Sequence, residues 1–163
     1  MNKKKIYIIW IWGIWVSAIA RYYLYLWWEV YGNDKVHSEL VNNLKIEWVN
    51  ISPLSSIIDV DKNIDLIVYT EAIPENNKEL ILSKKSWIKT ISYPEALAEI
   101  TNNKKLISIA WTHWKSTTAS LTSIVLKDSD IKVNAVIWTI LKEFWNKNTY
   151  WSHPDQTICS SDK

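Results

Sequence analysis

The chain has 163 residues, a formal net charge of +2 and one cysteine, Cys159. This length gives room for one domain, or for one domain and part of a second. The near balance of charges shows neither the basic excess of nucleic-acid-binding proteins nor an acidic tail, so no nucleic-acid partner is expected. A single cysteine excludes an internal disulfide framework, and no metal-ligand spacing accompanies it. Both features predict a reducing, cytoplasmic location.

The composition is unusual in its tryptophans and glycines. The chain has 12 tryptophans and 2 glycines, whereas average usage of glycine, about 7%, predicts roughly 11. With two glycines an α/β protein has difficulty forming its turns, because only glycine enters positive φ without steric cost. Most tryptophans therefore look like replacements for glycine. The hypothesis that explains this is that UGA codons, which the source organism reads as glycine, were translated as tryptophan.

The first 20 residues allow two interpretations. Read as printed, a basic start over 1–5 precedes an apolar run that ends in Ala18-Ile19-Ala20, as in a secretory signal or membrane anchor. That run of about fifteen residues is shorter than the ~20 needed to span a bilayer. With glycine at Trp10, Trp12 and Trp15, the segment instead becomes a strand over 6–9, the loop G-I-G-G-I-G and a helix over 14–26.

The glycine-restored loop matches the dinucleotide-binding fingerprint. Its first glycine makes a tight turn, its second lets the backbone approach a diphosphate, and its third allows the helix to pack closely on the strand. A second strand follows over 29–31 and leads to Asp34. An acidic residue about 20 positions after the glycines is where a ribose-contacting carboxylate belongs. Asp34 is equally consistent with a turn or N-cap residue before a helix over 36–44.

Strands and helices alternate as far as residue 101. Pro74 is expected in the first turn of its helix, and Trp87 at a helix C′ position that favours glycine. The polar residues 101–104 separate a first domain, 1–101, from a second, 105–163. Alternation with short links predicts a parallel sheet with helices on both faces. The further predicted strands are 48–50 and 65–69, residues 86–91 are predicted to form a turn and a strand, and the further predicted helices are 74–84 and 94–100.

The second domain begins with a phosphate-loop pattern. A β-branched strand over 106–110 leads into A-W-T-H-W-K-S-T-T, residues 110–118, and a helix is predicted over 116–127. With glycine at both tryptophans, consecutive backbone N–H groups and the helix N-terminus would bind phosphate oxygens. Ile109 stands where the general phosphate-loop pattern has its first glycine, so the match is incomplete. A polar helix cap is the alternative for this segment, and a solvated loop residue is the alternative for His113 alone.

The two loops together resemble the Mur ligases, the ATP-dependent amide-bond-forming enzymes of peptidoglycan precursor synthesis. The resemblance covers about residues 4–151, and His113 favours the alanine-adding branch, because other branches usually carry Asn, Ser or Cys there. The branch that recycles murein peptides shares the histidine but has a different N-terminal glycine loop. The resemblance is carried by segments 10–15, 16–21, 29–34, 72–77, 110–118 and 136–141. Family glycines align with residues 10, 12, 15, 48, 87, 111, 114, 138, 145 and 151, and with one of 27 and 28.

The resemblance implies a Rossmann-like domain that binds a UDP-sugar, followed by the start of a P-loop-type α/β domain that binds ATP. The implied substrates are UDP-N-acetylmuramate and L-alanine, and the implied cofactors are ATP and Mg²⁺. Lys115 would be catalytic by stabilising charge on the transferring phosphoryl group, and Ser116 would bind Mg²⁺. The implied UDP-sugar residues are Trp10, Trp12, Gly13, Trp15, Ser17 and Asp34. The implied ATP residues are Trp111, Thr112, His113, Trp114, Lys115, Ser116 and Thr117.

Two features limit the activity expected of this chain. Residues 153–163 do not resemble the family, which continues there with a strand and an acidic motif, and the family's third domain is not in these 163 residues. We therefore expect no ligase activity from this fragment alone. If the tryptophans are literal, indoles fill both loops, strain the backbone and exclude the nucleotides.

Two interpretations outside the ligase class stay open. The first is a membrane-anchored, Trp-rich binding protein that uses residues 10–28 as an interfacial anchor, whereas the ligase interpretation expects no stable membrane anchor. The second is a dinucleotide-binding domain such as a dehydrogenase. The lysine phosphate loop at 111–115 argues against a dehydrogenase, which needs no such loop.

Overall fold

The computed structural model describes residues 3–11, 13–33, 39–52, 63–102, 104–110, 113–129, 133–145, 147–151 and 157–161. The chain forms two compact units, residues 1–98 and 99–163. Among the predicted site residues, Trp12, Asp34, Trp111 and Thr112 lie outside the described ranges. The roles assigned to these four residues therefore stay predictions.

The first unit is an α/β sheet of parallel strands in the order β3-β2-β1-β4-β5. This is the strand order of a Rossmann-like, doubly wound fold, so the predicted fold class of the first part of the chain is confirmed. Its strands are β1 (Lys5–Ile9), β2 (Glu29–Asn33), β3 (Asn50–Ser52), β4 (Leu66–Tyr69) and β5 (Lys89–Ser92). Its helices are α1 (Ile14–Tyr25), α2 (Glu39–Ile46), α3 (Lys78–Lys85) and α4 (Tyr93–Thr101).

Strand β1 is the centre of this unit, with β2 and β4 as its two neighbours. Its residues from Ile6 to Ile9 are completely buried. Successive side chains of a strand point to opposite faces of the sheet. Tyr7 and Ile9 lie on the face where they pack with Leu80 of α3, so Ile6 and Ile8 lie on the other face. A central strand buried on both faces explains the uninterrupted apolar run at 6–9.

The N-terminal apolar segment folds into the core of the first unit. Residues 16–20 of α1 are buried, and Arg21 is held by a bidentate ion pair with Glu47, with N–O distances of 2.9 and 3.1 Å. This pair ties the end of α1 to the residue that follows α2. In the described part of the chain, no helix is both long enough and apolar enough to cross a membrane. The segment that suggested an anchor is thus a β-strand and a helix of an α/β unit.

The second unit is a mixed sheet in the order β6-β9-β7-β8 with one long helix packed on it. Strand β9 pairs in parallel with both β6 and β7, while β7 and β8 form an antiparallel pair. Its core contains Ala119, Ala135, Ile137 and Phe144. The elements are β6 (Leu106–Ile109), α5 (Lys115–Asp128), β7 (Val133–Leu141), a 3-10 turn (Lys142–Phe144), β8 (Lys147–Tyr150) and β9 (Thr157–Ser161).

The starts of α3 and β3 differ from the predictions. The helix predicted to begin at Pro74 begins at Lys78, because the Asn77 side chain accepts hydrogen bonds from the N–H groups of Glu79 and Leu80. Pro74 lies in the preceding turn. The strand predicted over 48–50 begins only at Asn50, since Trp48 has a φ of 72°, outside the range of regular strand backbone.

Two further expectations also need correction. Trp87 follows the C-cap Ser86 of α3, but its φ is not positive, so this helix ends without the left-handed residue that the prediction implied. Residues 157–161, which lie in the tail that did not resemble the family, form β9 between β6 and β7. The tail therefore contains a strand of this sheet.

Five described residues other than glycine have positive φ, and all five are tryptophans. They are Trp10 (61°), Trp27 (65°), Trp48 (72°), Trp114 (64°) and Trp145 (54°). Both glycines have negative or extended backbone, since no glycine of the described chain has positive φ. Left-handed backbone in the described residues is thus confined to tryptophan.

Candidate functional sites at two strand-to-helix turns

The first candidate site is the turn between β1 and α1, the glycine loop of the sequence analysis. Trp10 follows the last residue of β1 with a φ of 61°. Its N–H donates to the side-chain oxygen of Asn33 at 3.0 Å, and the N–H of Ile11 donates to the Asn33 carbonyl at 3.1 Å. Gly13 is the N-cap of α1 and has no side chain to occupy the helix end. The turn is thus fastened to the end of β2 and leads directly into a helix N-terminus.

A side-chain network extends from this turn to α3. The Asn33 amide nitrogen donates to Oε2 of Glu79, and the buried Tyr7 hydroxyl donates to Oε1 of the same carboxylate, each at 2.5 Å. Asn33 ends β2, and Glu79 is in the first turn of α3, which follows β4. These residues therefore meet at the carboxyl edge of the sheet, where ligands bind in folds of this kind.

Sequence reasoning missed Asn33, Glu79 and Tyr7 as parts of this edge. The signal for Glu79 was available, because Asn77 followed two residues later by a glutamate is typical of a capped helix start. Recognising that cap would have placed Glu79 in the first turn of α3, beside the glycine loop. Nothing in the local sequence pattern indicates that Tyr7 directs its hydroxyl to Glu79, since the two residues are 72 positions apart.

Gly32 keeps the β2 end close to the turn. A Cβ atom at this position would lie 3.0 Å from the Ile8 carbonyl oxygen and 3.0 Å from the Ile11 side chain. Real Cβ atoms are rarely this close to backbone atoms, so the glycine is required by the approach of β1 and the turn. Its role is close packing, which differs from the positive φ that usually selects glycine.

Two other predicted UDP-sugar residues lie in α1. Trp15 is half-buried in the first turn and packs edge-on against Tyr93, with ring centroids 5.5 Å apart. Ser17 is completely buried, and its hydroxyl donates to the carbonyl of Ile14 at 2.7 Å. The structure thus places both residues on the helix that leaves the turn, with the Ser17 hydroxyl bonded within that helix.

The second candidate site is the turn between β6 and α5. Trp114 is the N-cap of α5, with φ 64° and ψ −1°. The first hydrogen bond of the helix joins the Thr118 N–H to the Trp114 carbonyl at 2.8 Å. The N–H groups of Ser116 and Thr117 come before that bond, at the positive end of the helix dipole. The first turn of α5 contains no acidic residue, so its electrostatics favour an anion.

The predicted ATP residues that the structure describes lie together at this helix start. Lys115 and Ser116 are half-buried in the first turn, whereas His113, Trp114 and Thr117 are exposed. The described residues include no group of three or more His, Cys, Asp or Glu side chains that could hold a metal ion. Magnesium at a nucleotide site is usually bound by one or two protein ligands together with phosphate oxygens and water. In phosphate loops the Ser or Thr after the lysine is one such ligand, and Ser116 has that position.

The core of the second unit fixes the direction of α5. Ala119 packs against Ala135, Ile137 and Phe144, and Ile109 of β6 packs against the same cluster. The hydroxyls of Ser120 and Ser123 donate back to carbonyls one turn earlier, at 2.6 and 2.7 Å. Both hydroxyls are therefore hydrogen-bonded within α5, on the side of the helix that packs on the sheet. The helix N-terminus is held at the carboxyl end of β6 by this packing.

Comparison with known proteins identifies the family of this chain. The family described as "Mur ligase family, catalytic domain" matches residues 5–105. UDP-N-acetylmuramate–L-alanine ligase of Campylobacter jejuni is 35% identical over 147 residues, which are 90% of this chain and 33% of that protein. The enzyme of the same name from Parabacteroides distasonis is 32% identical and covers 100% of this chain, including 153–163, and 37% of its own length. The chain thus spans about a third of these relatives.

Solved structures share the fold. The alanine ligase MurC of Thermotoga maritima superposes with a TM-score of 0.84 at 19% identity, covering 96% of this chain and 37% of the other. A murein peptide ligase of Psychrobacter arcticus superposes with a TM-score of 0.86, also at 19% identity, covering 98% of this chain and 38% of the other. On the family match over residues 5–105, this chain belongs to the Mur ligase family.

Proposed function

We propose that this chain is the N-terminal part of a UDP-N-acetylmuramate–L-alanine ligase that acts in the cytoplasm in peptidoglycan precursor synthesis. The observation that carries the proposal is the pair of strand-to-helix turns, each with a left-handed residue beside a helix N-terminus, at Trp10 and Trp114. Relatives named as alanine ligases, at 32–35% identity, support this branch of the family. The histidine at position 113, in the second turn, also favours the alanine-adding branch.

In this proposal the first turn binds UDP-N-acetylmuramate. The backbone of residues 10–13 faces the diphosphate, with Asn33 holding the Trp10 N–H in place. Asp34 contacts the ribose. Trp15 and Ser17 line the start of α1, where the family glycine and serine are expected to stand. The hydrogen bonds of Asn33 to Trp10 and to Glu79 fix the position of this turn.

The second turn binds ATP and Mg²⁺. The amides of Ser116 and Thr117 bind phosphate oxygens, Lys115 stabilises the charge that builds on the transferring phosphoryl group, and Ser116 holds the metal. Transfer of the γ-phosphoryl group of ATP to the muramoyl carboxylate releases ADP and gives an acyl phosphate. The amine of L-alanine then attacks this acyl phosphate and displaces phosphate. Because the chain spans about a third of its relatives, the proposal assigns to these residues nucleotide and sugar binding, and not the complete reaction.

A titration with ATP and Mg²⁺ tests the second turn. The protein is the glycine variant, the chain with Trp→Gly at residues 10, 12, 15, 27, 48, 87, 111, 114, 138, 145 and 151. We expect saturable binding, and a roughly ten- to hundredfold loss of affinity in its Lys115→Ala form, because hydrogen bonds to charged groups contribute about 1.5–3 kcal/mol. Lys105→Ala, which changes an exposed lysine before β6, is the matched control and leaves the affinity unchanged.

Two results would refute this assignment. One is a folded glycine variant, shown by its circular dichroism, that binds no ATP at millimolar concentration. The other is an equal loss of affinity in the Lys115→Ala and Lys105→Ala forms. The printed chain, with indoles at residues 111 and 114, is expected to show no binding in the micromolar range.

A further inference from the structure

We infer that the native protein has glycine at positions 10, 27, 48, 114 and 145, and tryptophan at position 28. The source cell then decodes five codons written here as tryptophan with a glycine-charged transfer RNA. The inference is drawn from backbone angles and hydrogen bonds, and it holds whatever ligand the two turns bind. It also decides between Trp27 and Trp28, which sequence comparison with the family left open.

The first observation is the confinement of left-handed backbone to tryptophan. Five described non-glycine residues have φ between 54° and 72°, and each is a tryptophan. For L-residues with a Cβ this conformation costs roughly 1–2 kcal/mol, and the residues that tolerate it best are glycine, asparagine and aspartate. The described chain contains many asparagines, yet none of them has positive φ. Nothing in the chemistry of an indole explains this distribution.

The second observation is the way in which α1 and α2 end. The N–H of Trp27 donates to Leu24 O at 2.9 Å, and the N–H of Trp28 donates to Tyr23 O at 3.0 Å. With Leu26 as the C-cap, these are the two hydrogen bonds of a Schellman motif whose C′ residue is Trp27. Helix α2 repeats the pattern, with Trp48 N to Lys45 O at 3.1 Å and Val49 N to Leu44 O at 3.0 Å.

The Schellman motif separates the two neighbouring tryptophans. Its C′ residue is left-handed and is usually glycine, whereas its C″ residue makes a hydrophobic contact with the helix. Trp28 is that C″ residue, and its ring lies 4.8 Å from the Tyr23 ring and 5.3 Å from the Lys4 ammonium. Trp27 is 79% exposed. The indole of Trp28 therefore packs against the helix that it follows. Trp27 has a strained backbone, and its exposed indole gains no burial that would offset the strain.

Of the remaining left-handed residues, Trp10 is half-buried beside the core of the first unit, and its φ of 61° has the same backbone strain. Trp48 and Trp114 are 86% and 76% exposed, so burial of the indole does not offset the backbone strain. Trp114 is the N-cap of the phosphate-loop helix, and Trp145 ends the 3-10 turn, its N–H donating to Lys142 O at 2.9 Å. Each is a tight turn of the kind that glycine makes without steric cost.

The peptide 22–35, released from the source-cell protein by trypsin, tests the inference directly because it contains both tryptophans. Tandem mass spectrometry is expected to show glycine at position 27 and tryptophan at position 28, and the gene to have UGA at codon 27 and UGG at codon 28. Tryptophan at position 27 in the native peptide would overturn the inference, and so would glycine at position 28.

Stability of the recombinant chain gives a second, independent measurement. In the printed chain, Trp27→Gly is expected to lower the unfolding equilibrium constant roughly five- to thirtyfold by relieving left-handed strain, while Trp28→Gly raises it through loss of the Tyr23 contact. If the printed chain does not fold, the comparison uses the glycine variant with and without its Trp27→Gly change. Shifts of the same sign for positions 27 and 28 would overturn the inference.

Discussion

At the scale of single residues, the two glycines of the printed sequence have different physical roles. Gly32 lies where β2 passes the turn after β1, with rigid backbone 3.0 Å from the position of a Cβ atom. Gly13 is the N-cap of α1, has a φ of −71°, and would place a Cβ no nearer than 3.8 Å to Val16. Of the two, only Gly32 lies where close packing excludes a side chain.

Alanine at these two positions should therefore have unequal effects on stability. Gly32→Ala is expected to reduce the free energy of unfolding by about 1–3 kcal/mol, because the Ile8 carbonyl belongs to the central strand and cannot move away. Gly13→Ala, the matched control, should change the free energy of unfolding by less than about 1 kcal/mol. Alanine is a poorer N-cap than glycine, but it also lowers the conformational entropy of the unfolded chain, and both effects are small. Urea unfolding of the glycine variant with each substitution measures the difference, and equal losses would contradict the assignment.

The sequence predicts the two turns, but it does not predict the residues that hold the first turn by hydrogen bonds. Trp10, Gly13, Trp114 and Lys115 were predicted because glycine-loop and phosphate-loop patterns are local in sequence. Asn33 and Glu79 were not predicted, because their contacts join residues 46 positions apart. Such contacts depend on which strands become neighbours in the sheet. A local pattern contains no information about that choice.

At the scale of elements, the helix starts are set by side-chain caps that the sequence partly reveals. Helix α4 begins after Ser92, whose N–H and hydroxyl both donate to Glu95 in the first turn, at 2.7 and 2.8 Å. These hydrogen bonds favour the charged carboxylate. They lower the pKa of Glu95 below its ordinary value of 4.5, the Ser92 N–H having the largest effect.

This cap predicts a pH dependence of stability. A carboxylate whose pKa is lower in the folded state stabilises the fold above pH 4.5, and that contribution is lost as the pH falls through the lower, folded-state value. Glu95→Gln should therefore destabilise the protein at pH 7, and the difference from the parent should shrink towards zero in acid. Chemical unfolding followed at several pH values between 7 and 3 measures this trend, and a difference independent of pH would contradict it.

Most elements of the first unit could be predicted because their patterns are strong. The apolar run at 6–9, the strand at 66–69 and the helix at 94–100 were all expected close to their observed bounds. The start of α3 was predicted four residues too early, because Pro74 was taken as the first helical residue and the Asn77 cap was overlooked. The strand after α2 was predicted two residues too early, since Trp48 belongs to the end of that helix.

At the scale of the whole molecule, the second unit leaves apolar side chains exposed. Leu106 and Ile107 of the edge strand β6 are exposed, as are Leu121 and Val125, which are one turn apart on α5. Contiguous exposed apolar groups usually mark surfaces that contact further protein. The relatives that this chain matches are about three times as long.

The central claim is that the first unit binds a UDP-sugar and the second binds ATP. Calorimetric titration of the glycine variant with UDP-N-acetylmuramate, ATP and NADH, each alone and in pairs, compares this claim with the dehydrogenase alternative. Asn33→Ala removes the acceptor of the backbone N–H of residue 10 and should weaken UDP-N-acetylmuramate binding while ATP binding is unchanged. Asn42→Ala, on the exposed side of α2, is the control. We predict two independent sites, for UDP-N-acetylmuramate and for ATP, with no heat from NADH. Binding of NADH in competition with UDP-N-acetylmuramate, or no binding of UDP-N-acetylmuramate to the folded protein, would contradict the claim.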